Sequence, residues 1–187
     1  MPVSAAVALP PLLTVAGQPR PTRNSLGRLI HPTAAGVRHF WQWFGDSRVV
    51  DHAGRPRVVY HGSPFVSTAF DPARIGLRDG GFLGKGFYFS SSEACARSYQ
   101  HDPWEGEPGA FYLRLCHPQV GSFATGVGYR NAMPFAGHQD GAVWTHEDLE
   151  RPGYAGSQEW VVASPWQIKS ATKNRGTFSA LDPDTRG

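Results

Sequence analysis

Gly84-Lys85-Gly86-Phe87-Tyr88-Phe89-Ser90-Ser91-Ser92-Glu93, running on to Tyr99, carries two structural signals in succession. Phe87-Tyr88-Phe89 is a strand candidate, because aromatic side chains suit a pleated, half-buried surface. Ser90 followed three residues later by Glu93 has the form of a capping box, which predicts a helix from here through Tyr99. The glycines ahead of the strand (Gly76, Gly80, Gly81, Gly84 and Gly86) mark a loop and invite a phosphate-binding reading. That reading fails twice: Asp79 stands where the first glycine of such a loop is required, and Gly86 replaces the Ser or Thr after Lys85. No G-x-G-x-x-G opens a helix after a strand either, so a dinucleotide-binding Rossmann unit is unsupported.

Upstream, Thr33 is a candidate N-cap; Val37, Phe40, Trp41 and Phe44 then recur at helical spacing, and Gly45 is a natural stop. Arg48-Val49-Val50, a turn at Asp51-His52-Ala53-Gly54, and Arg57-Val58-Val59-Tyr60 predict a short hairpin. Downstream strand candidates are Ala110 to Leu115, Gly141 to Trp144, Glu159 to Ala163 and Trp166 to Ile168. Residues 1–26, with Pro10, Pro11, Pro19 and Pro21, read as a flexible arm. Residues 27–187 suffice for one domain, and many short strands with two helices make it α+β.

A net charge of +3 with no long run of like charge gives little support to nucleic acid as a partner. No apolar stretch is long enough to span a membrane. The apolar start lacks a basic n-region, which argues against a cleaved signal peptide; it is compatible with the secretion signal of an injected bacterial effector. Cys95 and Cys116 show neither metal-ligand spacing nor a disulfide framework, and read as buried free thiols suited to a reducing compartment. His146-Glu147 lacks the second histidine of a zincin, and the eight histidines show no paired spacing, so no metal is expected.

His61 and Tyr88 are each unremarkable alone. Glu159 is less comfortable, since it opens the apolar run Trp160-Val161-Val162, where a carboxylate is costly unless it faces a cleft. Taken together, Tyr60-His61-Gly62-Ser63, then Gly84 to Phe89 followed by Ser90 to Tyr99, then Glu159 to Val162, resemble the His-Tyr-Glu branch of the ADP-ribosyltransferase superfamily. This branch is shared by diphtheria-type toxins and poly(ADP-ribose) polymerases. The look is closest to the transferase domains of bacterial and phage polyvalent proteins, through Trp43 to Ser47, Gln167 to Ala171 and Asn174-Arg175-Gly176. The likeness covers roughly residues 38 to 183 and implies that 27–187 is the catalytic domain, a split β-sandwich of two mostly antiparallel sheets with flanking helices.

The resemblance implies NAD⁺ as co-substrate, without a metal. Glu159, His61 and Tyr88 would form the catalytic set. His61, Gly62, Ser63, Gly86, Tyr88 and Tyr99 would bind NAD⁺, the two tyrosines by stacking on the cationic nicotinamide ring. Ala96 departs from the pattern, standing where the polymerases carry a serine that contacts the carboxamide. In related toxins, a glutamate two residues before the catalytic one accompanies arginine modification; Ser157 here points away from arginine. The loop from Glu147 to Ser157 is the expected acceptor contact, with Tyr154 as an aromatic anchor. The implied activity is mono-ADP-ribosylation of a protein by a secreted effector acting in a host cytosol, host ubiquitin being one conceivable acceptor. The alternatives are NAD⁺ glycohydrolysis, a non-catalytic NAD⁺ or ADP-ribose binding module, modification of nucleic acid, and a cytoplasmic location.

Overall fold

Helix α1 (Ala34–Phe44) begins where the sequence predicts: the Thr33 hydroxyl accepts the Gly36 N–H at 3.1 Å, and the Gly45 N–H closes the helix on Trp41 at 2.9 Å. A computed structural model of the chain describes residues 8–63, 68–75, 83, 85–100, 107–121, 138–146, 154 and 156–187. Gly76, Asp79, Gly80, Gly81, Gly84 and most of the 147–157 loop lie outside the described residues.

The apolar stripe of α1 makes the first core. Phe40 is fully buried, with ring centroids 4.9 Å from Phe44, 4.9 Å from Tyr112 and 5.2 Å from Phe178. Strands β1 (Leu12–Val15) and β2 (Gln18–Pro21) form a hairpin that covers this cluster, with Val15 buried in it. For residues 8–26 the expectation of a flexible arm is corrected here; residues 1–7 lie outside the described residues. Pro19 and Pro21 sit two residues apart, so both missing N–H groups fall on the edge facing away from β1. The two-residue turn Ala16-Gly17 has positive φ at both positions, 48° and 79°, the geometry that matches strand twist. Trp41 Nε1–H then donates to Pro21 O at 2.8 Å and ties the hairpin to α1.

Seven further strands follow: β3 (Val59–His61), β4 (Phe87–Ser90), β5 (Gly109–Leu113), β6 (Pro118–Gly121), β7 (Gly141–Thr145), β8 (Gln158–Val162) and β9 (Ile168–Ser170). They lie in the order β6-β7-β8-β4-β3-β5-β9, antiparallel except for β6 with β7. Two sheets with few helices give the expected α+β class. The larger sheet is nearly divided. β4 and β8 share four residue pairs and β3 and β5 share three, but β3 meets β4 only at Tyr60↔Ser90. The sheet is thus nearly divided beside the residues singled out by sequence.

Several boundaries move. Helix α2 (Glu93–Ser98) is capped by Ser92, whose hydroxyl accepts the Cys95 N–H at 3.2 Å, not by Ser90. Ser90 is still paired in β4, and its hydroxyl accepts the Ser92 N–H instead. The hairpin expected over 48–60 shrinks to a single bridge, Val50↔Pro56, flanked by Arg57 N–H to Val49 O and Asp51 N–H to Arg55 O. It goes no further because the Val49 N–H turns to the Ser47 hydroxyl and the Val58 N–H to that of Ser25. Trp166 lies in a 3₁₀ turn over Pro165–Gln167 that precedes β9.

Lys169 in β9 is fully buried, yet its ammonium donates to Asp182 O at 2.7 Å and Asp184 O at 3.0 Å. Together with Asn174 Nδ2 donating to Thr185 O and Gly187 O, this pins the C-terminal segment to the sheet. Phe40→Ala is expected to lower unfolding free energy by about 3–5 kcal/mol, read by denaturant titration, since it empties the centre of the first aromatic cluster. A loss below about 1 kcal/mol would mean that α1 is not the anchor of this core.

Candidate functional site

Side chains alternate along β4. Phe87 and Phe89 enter a core with Val59, Phe111, Trp160 and Val162, whereas Tyr88 packs with Leu83, Ala142, Trp144 and Val161 on the opposite face. The registers Tyr88↔Val161 and Ser90↔Glu159 put Glu159 on the Tyr88 face, and Trp144↔Glu159 places β7 beside it. Glu159 is only 4% exposed.

Three side chains converge on that buried carboxylate. Tyr99, at the C-cap of α2, donates its hydroxyl to Oε1 at 3.2 Å. The Cys95 thiol, on the same helix, approaches Oε1 at 3.5 Å. His146, just past β7, places Nε2 3.5 Å from Oε2. Its backbone N–H donates to Ser157 O at 2.8 Å, continuing the β7–β8 pairing and setting His146 on the Glu159 face. Burial, and then the neighbouring Glu159 charge, push the Cys95 thiol up to about 11 against the pull of the Ser90 hydroxyl, so Cys95 is a proton donor. Burial and Glu159 likewise raise the Tyr99 phenol. The Tyr99 residue is nevertheless 52% exposed, so its ring is open to solvent beside the carboxylate that holds its hydroxyl.

His61 lies on the other side of the β4 ribbon. Its ring centroid is 5.0 Å from that of Phe70 and 5.3 Å from that of Phe89, and no hydrogen bond or ion pair joins it to Glu159. Nδ1 lies 2.7 Å from the backbone carbonyl of Tyr88. A carbonyl only accepts, so Nδ1 carries the proton and Nε2 is left with a lone pair able to accept from a ribose hydroxyl. Burial holds the His61 pKa below its usual value, opposed in part by this hydrogen bond. Tyr88 is half-buried, and its hydroxyl accepts the Leu83 N–H at 2.7 Å, which fixes the ring.

The remaining sequence-derived residues find more structural explanations. A Cβ on Gly62 would lie 1.9 Å from the Ala96 carbonyl oxygen, so the glycine lets β3 run against α2. A Cβ on Gly86 would lie 2.3 Å from Val161 Cγ1; that space belongs to β8, not to a ligand. Ser63 is half-buried, two residues beyond β3. Ser157 is buried, and Tyr154 turns inward, its ring 5.3 Å from His146 and its hydroxyl against Ser98. Both therefore belong to the wall around Glu159.

His146 is the residue that sequence reading passed over. Its signal is alternation: Ala142, Trp144 and His146 share a face, but this matters only once the β7–β8 register is known. The family model for ADP-ribosyltransferases in polyvalent proteins matches residues 51–178, well over half of the chain and every residue of this cluster. No curated protein matches the chain.

Because His61 is held neutral when folded, the unfolded chain binds a proton that the native one refuses. Stability should be full above pH about 6.5 and fall as pH drops through that value. His61→Gln should flatten part of this slope in melting curves between pH 8 and 5, His31, also lowered by burial, supplying another part. An unchanged slope would mean that His61 titrates as it does in the unfolded chain.

Proposed function

As the chain belongs to the family of ADP-ribosyltransferases found in polyvalent proteins, we propose that Glu159 is the group on which its transfer of ADP-ribose from NAD⁺ turns. The observation that carries this reading is the buried Glu159 carboxylate, oriented by the Tyr99 hydroxyl at 3.2 Å and next to an exposed tyrosine ring. The bond between nicotinamide and the ribose C1′ breaks, its electron pair leaving with nicotinamide. Positive charge then develops on the ribose, as in glycoside cleavage, and a carboxylate hydrogen-bonded to the 2′-hydroxyl stabilises it. The acceptor bonds to C1′ and releases its proton.

Tyr99 offers its ring to the nicotinamide cation by stacking and cation–π attraction. The fixed ring of Tyr88 is the opposing surface, and neutral His61 accepts from the ribose of the adenosine half through Nε2. The acceptor in this reading is a single polar group on a protein, not arginine, because Ser157 replaces the glutamate that accompanies arginine modification in related toxins. Host ubiquitin is the first acceptor to test, in keeping with a secreted effector acting in a host cytosol.

With labelled NAD⁺ and eukaryotic lysate, label should appear on a dominant protein and nicotinamide should be released. Glu159→Gln is expected to reduce the rate about 10²–10³-fold. Free ADP-ribose without labelled protein would replace the transferase with a glycohydrolase, and equal rates for wild type and Glu159→Gln would remove Glu159 from the chemistry. The two functions of Tyr99 separate by substitution. Tyr99→Phe keeps the ring and should lower kcat with little change in NAD⁺ affinity, whereas Tyr99→Ala should also weaken binding; equal effects of both would remove the hydroxyl from the mechanism.

A further inference from the structure

Cys95, His146 and Glu159 each offer one ligand atom, all within 4.8 Å of one another, and all three residues are buried. The hydrogen-bond account around them does not close. His146 Nε2 is a buried nitrogen with no hydrogen-bond partner among the described residues, and it faces Glu159 Oε2 at 3.5 Å. A buried polar atom without a partner is rare and costly. Tyr99 and Cys95 both bond the other oxygen, Oε1, so neither relieves it.

Two of the separations match a specific occupant. Tetrahedral zinc, with Zn–S about 2.3 Å and Zn–N or Zn–O about 2.0–2.1 Å, sets its ligand atoms roughly 3.3–3.6 Å apart. Cys95 Sγ to Glu159 Oε1 and His146 Nε2 to Glu159 Oε2 are each 3.5 Å, one on each carboxylate oxygen. A small turn of the carboxylate would therefore gather the three ligand atoms, already within 4.8 Å of one another, around one ion. One thiolate, one imidazole and one carboxylate form a borderline-soft set suited to Zn²⁺, not to Mg²⁺ or Ca²⁺, which require oxygen cages. Three protein ligands also leave a fourth position open.

We propose that Cys95, His146 and Glu159 form a Zn²⁺ site whose occupation withholds the Glu159 carboxylate from NAD⁺ and holds the transferase off. On binding, sulfur–metal, nitrogen–metal and oxygen–metal bonds form, and the Cys95 Sγ–H proton passes to solvent. The inhibitory half rests on Glu159 acting at the ribose; the binding half does not.

Metal-free full-length protein titrated with Co²⁺ should take up one equivalent with a near-ultraviolet thiolate-to-cobalt band and the visible bands of tetrahedral cobalt, all abolished by Zn²⁺. Cys95→Ser should lose the thiolate band. Cys116→Ser should keep it, which excludes the rival grouping of Cys116 with His117 and His138, whose rings lie 6.1 Å apart. His146→Gln should weaken Co²⁺ binding at least about tenfold. A six-coordinate spectrum without the thiolate band, or a band that survives Cys95→Ser, overturns the site. In the NAD⁺ cleavage assay, stoichiometric Zn²⁺ should slow wild type about 10²-fold, as loss of the carboxylate would, and a chelator should restore it. Cys95→Ser, compared with its own metal-free rate, should respond far less. Full activity with the cobalt band formed would overturn the inhibitory claim. A cobalt band without NAD⁺ cleavage by metal-free protein would support the metal site and sink the functional reading. Cleavage lost in Glu159→Gln but with no cobalt band in wild type would do the reverse.

Discussion

β4 and β8 are joined by four antiparallel pairs, Phe87↔Val162 to Ser90↔Glu159, and because side chains alternate this register fixes both faces of the sheet at once. Phe87, Phe89, Trp160 and Val162 are committed to one core. Tyr88, Val161 and Glu159 are thereby committed to the other face. A slip of one residue would send the carboxylate into an aromatic core and bring Trp160 to its place. The apolar burial on one face thus specifies the position of the polar group on the other.

Two buried charges show what kind of position this is. Lys169 is fully buried but well satisfied by two backbone carbonyls at 2.7 and 3.0 Å, which suits a fixed structural tie. Among the described residues, Glu159 receives a hydroxyl at 3.2 Å and a thiol at 3.5 Å on one oxygen, and faces His146 Nε2 at 3.5 Å with the other. The effective penalty for burying an ion is several kcal/mol, and neutral hydrogen bonds return only about 0.5–1.5 kcal/mol each. The carboxylate is therefore held with unused accepting capacity. A substrate hydroxyl or a metal cation is the chemistry that would use it.

The near-division of the larger sheet complements this arrangement. Only Tyr60↔Ser90 bridges β3 and β4, so the sheet departs from regular pairing beside Tyr88 and Glu159. Gly62 lets the chain after β3 lie close against Ala96 of α2, and α2 delivers Cys95 and, from its C-cap, Tyr99 to Glu159. A helix of six residues has little stability alone. Its Ser92 cap, and the contacts of Cys95 and Tyr99 with β8, are what set its direction.

The sequence by itself determined α1 from cap to cap, the aromatic strand β4, the α+β class, and Glu159 as a carboxylate out of place in an apolar run. These are local properties, written in periodicity, capping residues and hydropathy over a few positions. Proline counts misled the reading of β1 and β2, because composition does not reveal that Pro19 and Pro21 share one unpaired edge. Only the tertiary structure set His146 against Glu159, turned Tyr154 and Ser157 into the wall, and moved His61 across the β4 ribbon. Those placements depend on strand register and on contacts such as Cys95 to Glu159, 64 residues apart, for which no local pattern exists.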